Sequence, residues 1–304
     1  MPSSVLFTLL ALLLAPAFLS AQDRPAALAH FSGDRALADL KTLQSFGPRP
    51  PSSAGYEKSL QFLEKTLKEA GWTTTRQSFQ SVTPTGPLRF TNLLARFGEV
   101  ADWEQSTPFL LSSHLDTKRV SAFRFMGAND SGSSTVVLTE IARVTAKHDP
   151  ALARELELVF FDGEEAILKD IDPKRDGLYG SRYYASRLND RKSKPKTGIL
   201  LDLVGDKNVP LLVGLDSGRK LLGEAGRAVQ TLGLRGKVRP ASYLIIDDHV
   251  PLIKKAKIPM LHIIGDFARM PYWHKKGDTI DKIHPEALTT TAQLTLQVLH
   301  QLRK

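Results

Sequence analysis

The sequence predicts an α/β fold: a single-domain, open, mixed but mostly parallel central sheet flanked by helices. Three observations point to it. Apolar runs of strand length, Leu156 to Phe161 foremost, lack a polar face and read as strands covered on both sides. These runs alternate with segments of helical apolar spacing. No linker-like break and no internal repeat divides the 304 residues, so one catalytic domain is expected from residue 22 to 304.

The elements follow in order. Met1 to Ala21 carries no charged side chain, and Val5 to Leu19 is almost wholly apolar. Small residues at Ser20-Ala21 then suit a signal peptide cleaved near Ala21. The run is short and holds Pro16, which disfavours a membrane span. A secreted or periplasmic protein is expected, without stable membrane insertion; an anchor formed by an uncleaved N-terminus is the lesser alternative.

Asp34 to Ser45 reads as a short helix with Asp34 as its N-cap. Gly47 to Gly55 is a turn region, after which Tyr56, Leu60, Leu63 and Leu67 repeat at helical spacing up to Gly71. Thr73 to Phe79 and Arg89 to Phe97 alternate like an antiparallel edge pair, and Pro108 to Ser112 is a short strand. A helix is expected over Ser131 to Ala146. The strand at Leu156 leads into a loop, Ala166 to Asp176, and a helix near Tyr179 to Leu188. Gly198 to Val204, Pro210 to Gly214 and Ile258 to Ile264 read as strands. Ser217 to Leu232, Asp248 to Ala256 and Pro285 to Leu302 read as helices.

Composition narrows the chemistry. Without cysteine there are no disulfides, and any metal rests on His and carboxylate ligands. The net charge of +9 is spread over scattered Lys and Arg, with one local cluster at Arg187 to Lys196. No basic stripe or recognition motif accompanies it, so solvated surface is expected rather than a nucleic-acid partner. A monomer is the default.

The acidic strand ends carry the functional signal. Phe160-Phe161-Asp162-Gly163-Glu164-Glu165 places three carboxylates just past a buried strand, where open α/β sheets bind ligands. Adjacent Glu164 and Glu165 on an extended turn point different ways, so one can hold a metal while the other handles protons. Ser113-His114-Leu115-Asp116 adds a His whose ring Asp116 can orient. Gly127-Ala128-Asn129-Asp130, Asp202 and Trp273-His274 supply further groups. Each alone has an ordinary reading: a packed His, a core Trp, a solvated acidic loop, or, for Asp247-Asp248, an N-cap pair. Together they favour zinc, which takes three or four N/O ligands and keeps a position open for catalysis.

In their order, SHLD, GANDSG, FFDGEEA, LLDLVG and WH resemble the zinc aminopeptidase clan, and within it the glutaminyl-peptide cyclotransferases (glutaminyl cyclases), from about Phe46 to the C-terminus. Asp247-Asp248-His249 resembles the DDH motif of the cyclases, Pro259 to His262 their segment that places a His near the substrate, and Trp273 the residue before their metal His. Arg124 to Gly132 and Asp176 to Ala185 are similar to cyclase sequence as well.

The resemblance implies one zinc ion held by Asp130, Glu165 and His274, with Glu164 as the group that moves protons. It implies Asp202 and Asp247 lining the pocket and bonded to the substrate amide and to each other, with Asp248 supporting them. His262, Trp273 and Phe267 would shape the site, and the Asp130-Ser131 peptide would be cis. The substrates would be peptides or proteins with N-terminal glutamine, closed to pyroglutamate with loss of ammonia.

Two features depart from the pattern. Loop 166 to 176 has no aromatic where vertebrate cyclases carry a tryptophan, and Lys275 to Ile283, with its GDTIDKI pattern, is at least as peptidase-like as cyclase-like. The alternative is therefore a secreted di-zinc aminopeptidase that adds His114 and Asp202 as ligands. A non-catalytic binding module on the same fold is a third reading.

Overall fold

Serine side chains start the first two helices. The computed structural model describes residues 24–304; the expected signal segment lies outside them. Helix α1 spans Gly33–Ser45, and Ser32 Oγ accepts from the Arg35 N–H at 3.1 Å. The cap is thus Ser32 rather than Asp34. Asp34 stands in the first turn, where its charge still favours the helix dipole. Helix α2, Ala54–Glu69, is capped by Ser53 in the same way and buries Tyr56, Leu60, Leu63 and Leu67.

The strands are β1 (Trp72–Thr83), β2 (Gly86–Phe97), β3 (Phe109–His114), β4 (Leu156–Phe161), β5 (Thr197–Asp202), β6 (Leu211–Val213), β7 (Val238–Pro240) and β8 (Met260–Gly265). They form one mixed sheet in the order β1-β2-β4-β3-β5-β8-β6-β7. The central strands β4, β3, β5 and β8 run parallel, while β1 and β2 form the antiparallel edge pair. The remaining helices are α3 (Ser134–His148), α4 (Pro150–Arg154), α5 (Tyr179–Leu188), α6 (Gly218–Leu232), α7 (His249–Pro251) and α8 (Pro285–Leu302). After β3 the chain enters β4 on one side and then crosses to β5 on the other. This switch opens a crevice at the C-terminal ends of β3 and β5.

Strand alternation sorts the core into two faces. Leu111, Leu158, Phe160, Ile199, Leu201 and Leu261 pack with α1, α2, α3, α6 and α8. Leu110, Val159, Phe161, Leu200 and Met260 pack with α5 and the turn Leu252–Ala256. Each such side chain removed from water contributes about 1.5–3 kcal/mol.

Several boundaries differ from expectation for local reasons. Residues Ala128–Ser133 wind into a wider π-type turn, so α3 begins at Ser134 instead of Ser131. The segment expected as one helix from Asp248 is α7 followed by another wide turn, Leu252–Ala256. Pro251 supplies no N–H to an α-helical ladder there. Helix α4 and strand β7 are too short to show a period.

The cluster Arg187 to Lys196 is not all solvated surface. Arg191 donates to Glu157 Oε1 at 3.0 Å, and Arg96 Nε donates to Glu157 Oε2 at 2.6 Å. Tyr184 also donates its hydroxyl to Glu157, which is wholly buried on β4. Glu157→Gln would leave two buried guanidiniums without a counter-ion. The expected loss is about 3–5 kcal/mol of stability, read as a lowered denaturant midpoint.

Candidate active site and metal centre

The ends of two β-strands and four loop segments deliver the site. His114 closes β3, and its Nε2 lies 3.2 Å from both Asp130 Oδ1 and Asp202 Oδ1. Asp116 Oδ1 sits 3.4 Å from His114 Nδ1, as the spacing predicts. Asp116 does more than orient that ring. Its two oxygens accept the backbone N–H groups of Glu164 and Glu165 at 3.1 and 3.3 Å, tying the Glu pair to the end of β3.

The turn before α3 places Asp130. Gly127 has φ +54°, and a Cβ there would stand 2.0 Å from the Asp130 carbonyl oxygen, so only glycine fits. Asp278, buried at the far end of the chain, accepts the N–H groups of Asn129 (2.7 Å) and Asp130 (3.1 Å). The Asp130-Ser131 peptide is cis, as the resemblance implies.

Asp130 Oδ2 and Glu165 Oε1 approach His274 Nε2 to 3.2 and 3.3 Å. Ligands about 2.0–2.1 Å from a tetrahedral zinc lie about 3.4 Å apart, so these two separations suit a shared ion. Their chemistry fits too, with two carboxylates and one imidazole whose ligand atoms all lie within 4.8 Å of one another. His114, Asp130 and Asp202 form a second such group, and Asp130 belongs to both.

Electrostatics points the same way. Burial opposes protonation of His274, yet Glu165 and Asp130 outweigh it and raise its pKa to about 10. A ring of acids that holds a proton this firmly is a ring that favours a cation. Burial likewise works against ionising Asp130, but His114 and His274 hold its carboxyl below the usual range. His274 itself adopts φ +53° and Leu203, next to Asp202, φ +53°. Left-handed backbone at two non-glycine residues flanking the site costs of order 1–2 kcal/mol each and aims their neighbours inward.

A cavity of about 280 Å³ opens here, lined by Asp130, Glu164, Glu165, Asp202, Asp247, Phe267, Trp273 and His274. Glu164 is buried, and burial raises its pKa well above the usual value, with His114 opposing and Asp247 adding to the shift. Burial also pushes Asp202 up to about 7. Trp273 stacks on the His274 ring at 4.2 Å and meets Phe267 at 4.8 Å.

One implied contact is different. Asp202 and Asp247 are not bonded to each other: Asp202 takes His114, and Asp247 Oδ2 lies 2.8 Å from His262 Nε2. Two buried carboxylates gain more from an imidazole each than from sharing a proton. Asp248 is wholly buried, and burial, with the Asp247 charge beside it adding to the effect, raises its pKa.

Lys118 and Arg49 had no signal in the sequence. Lys118 Nζ lies 3.3 Å from Glu165 Oε2 and lines the cavity. Arg49, from the turn before α2, is fully buried and donates to the carbonyls of Leu115, Met126 and Gly127, joining the loops that carry Asp116 and Asp130. His249 stacks on His262 at 4.1 Å and pairs with Asp216 at 2.9 Å, backing the His262–Asp247 contact. In loop 166 to 176, which has no aromatic, Lys169, Asp170 and Ile171 line the cavity.

With this geometry in place, comparisons are informative. Residues 92–299 match the family described as Peptidase family M28. A glutaminyl-peptide cyclotransferase-like protein of Bos taurus is 28% identical over 278 residues, covering 81% of this chain and 70% of that protein. The glutaminyl cyclase of Porphyromonas gingivalis superposes with a TM-score of 0.79 at 27% identity, covering 90% of this chain and 99% of the other. A Zn-dependent exopeptidase from Parabacteroides distasonis reaches 0.76 at 26% identity, covering 89% and 98%.

Proposed function

The chain belongs to peptidase family M28, and we propose that within this family it is a zinc-dependent glutaminyl-peptide cyclotransferase that closes N-terminal glutamine to pyroglutamate and releases ammonia. The observation that carries the reading is a buried Glu164, its pKa raised by burial, beside the ligand-type Glu165. Both face a cavity that also presents Asp202 and Asp247. Relatives carrying that activity in their names match over some four-fifths of the chain.

Family M28 is zinc-dependent, and Asp130, Glu165 and His274 would hold one ion. When bound, zinc polarises the γ-carboxamide carbonyl as a Lewis acid. The protein groups do the rest. Trp273 and Phe267 wall the cavity and exclude water, holding the glutamine curled so that its α-amine faces its own side-chain carbonyl carbon. Glu164 accepts a proton from that amine as the C–N bond forms and returns it to the departing nitrogen, which leaves as ammonia. Asp247, held by His262, and Asp202, held by His114, accept hydrogen bonds from the amide and amine N–H groups. Asp248 supports Asp247 from behind.

This account fixes a pH dependence. Protonated Glu164 cannot accept the amine proton, so kcat/KM falls as pH is lowered through its raised pKa. The stability effect has the opposite sense. The folded pKa lies above the unfolded value of about 4.3, so stability is greatest below that value and declines as pH rises through the folded pKa. A kcat/KM profile and a denaturation series over the same pH range check both.

The second reading, a di-zinc aminopeptidase, is favoured by the second donor group His114, Asp130 and Asp202. Two zinc ions per chain with release of free amino acids would support it. Export remains part of the proposal and rests on the apolar segment Val5 to Leu19. No helix among the described residues is long and apolar enough to cross a membrane. The proposal is tested by ammonia release from a glutamine-initiated peptide, with one pyroglutamyl product per ammonia.

A further inference from the structure

A second depression adjoins the cavity, on the loop that follows His114. Its walls include Pro48, Lys118, Arg119, Phe123, Arg124 and Phe125. Lys118 lines both spaces, and Phe125 stands edge-on to the His274 ring at 6.1 Å, so the two meet at the ligand-bearing side of the site. The floor is aromatic and aliphatic, three cations border it, and no carboxylate does.

The arginines here differ from several others in the chain. Arg76, Arg96 and Arg143 each hold a carboxylate. Lys118 is committed to Glu165. Arg119 and Arg124 are exposed, and neither forms an ion pair with any described residue; Arg119 donates only to the Pro51 carbonyl at 3.3 Å. Two guanidinium forks beside an apolar floor, next to a catalytic cavity, match a carboxylate carried on a peptide.

Resting on the cyclase reading, we propose that this depression receives the residues that follow the substrate's glutamine, and that Arg119 and Arg124 select acidic side chains there. The glutamine side chain has to reach Asp130, Glu165 and His274, and its amine Glu164, so the rest of the peptide leaves through the cavity mouth. An extended chain advances about 3.3–3.6 Å per residue. The second and third residues can therefore pass Lys118 and reach the arginines. Leu244, Ile246 and Trp273, also in the cavity lining, are apolar and exposed and offer a charged side chain no partner.

The test uses the zinc-loaded full-length protein at low ionic strength. Amidated tripeptides carry Glu, Ala or Lys at the second or third position after N-terminal glutamine. The expected order of kcat/KM is Glu above Ala above Lys, with about tenfold between the ends, since two nearby charges act in a partly aqueous setting. That ratio should shrink towards one in 0.5 M salt and invert in the Arg119→Glu/Arg124→Glu double variant. A Glu-to-Lys ratio near one in the wild type, or the same ratio in the double variant, overturns the selection. Glutamine amide ends before the depression and reports on the cyclase reading separately. If it releases no ammonia, that reading fails whatever the peptides do.

Discussion

Glu164→Gln is expected to lower kcat on a glutamine peptide by about a thousandfold, with KM and metal content close to wild type. General acid–base groups contribute about 10²–10⁴ in rate, and a thousandfold corresponds to about 4 kcal/mol at the transition state. The glutamine side chain keeps the shape of the glutamate but cannot accept the amine proton. Stability should move the other way. Glu164 is buried among Asp247, Glu165 and Asp248, all of which oppose its ionisation, so a neutral isostere should raise the melting temperature slightly. Steady-state kinetics, metal analysis and thermal melting on one preparation check all three. A variant that retains full kcat would remove Glu164 from the chemistry.

Stripping the metal is expected to abolish activity and to lower the melting temperature, with both restored by stoichiometric zinc. Asp130 and Glu165 approach His274 to 3.2 and 3.3 Å on one side of the cavity, and the like charges of the two carboxylates then lack their cation. A ligand at a thousand times its Kd adds about 4 kcal/mol to stability. His274→Ala should reproduce both losses without chelator, because it removes a donor and the Trp273 stack together. Restoration by one zinc per chain supports the single-ion reading. A requirement for two would bring His114 and Asp202 in as ligands.

The order of strands and the acidic ends were legible because both depend on runs of several residues. Leu156–Phe161 is a strand with the bounds the apolar run suggests, and Asp130, Glu164, Glu165, Asp202, Asp247, Phe267, Trp273 and His274 all line one cavity. His262 backs that cavity through Asp247. What stayed hidden depends on single residues meeting across the chain. Arg49 reaches carbonyl groups 66 to 78 positions away, and Asp278 caps a turn 148 positions away. No local pattern marks a lone Arg or Asp as buried. The cap at Ser32 escaped for a smaller reason, since Ser32 and Asp34 both suit the role and only the backbone decides. The imidazole partners of Asp202 and Asp247 likewise follow from β3 and β8 flanking β5, a neighbour relation that composition does not encode.

Cyclisation rather than peptide cleavage is the central claim. The most direct measurement gives the zinc-loaded protein two peptides in parallel, one beginning with Gln and one with Leu, and reads the products by mass spectrometry. The account predicts loss of one ammonia from the Gln peptide, with its length unchanged and the Leu peptide intact. Removal of the first residue from either peptide would contradict it, and would make the site a two-metal aminopeptidase centre using His114 and Asp202.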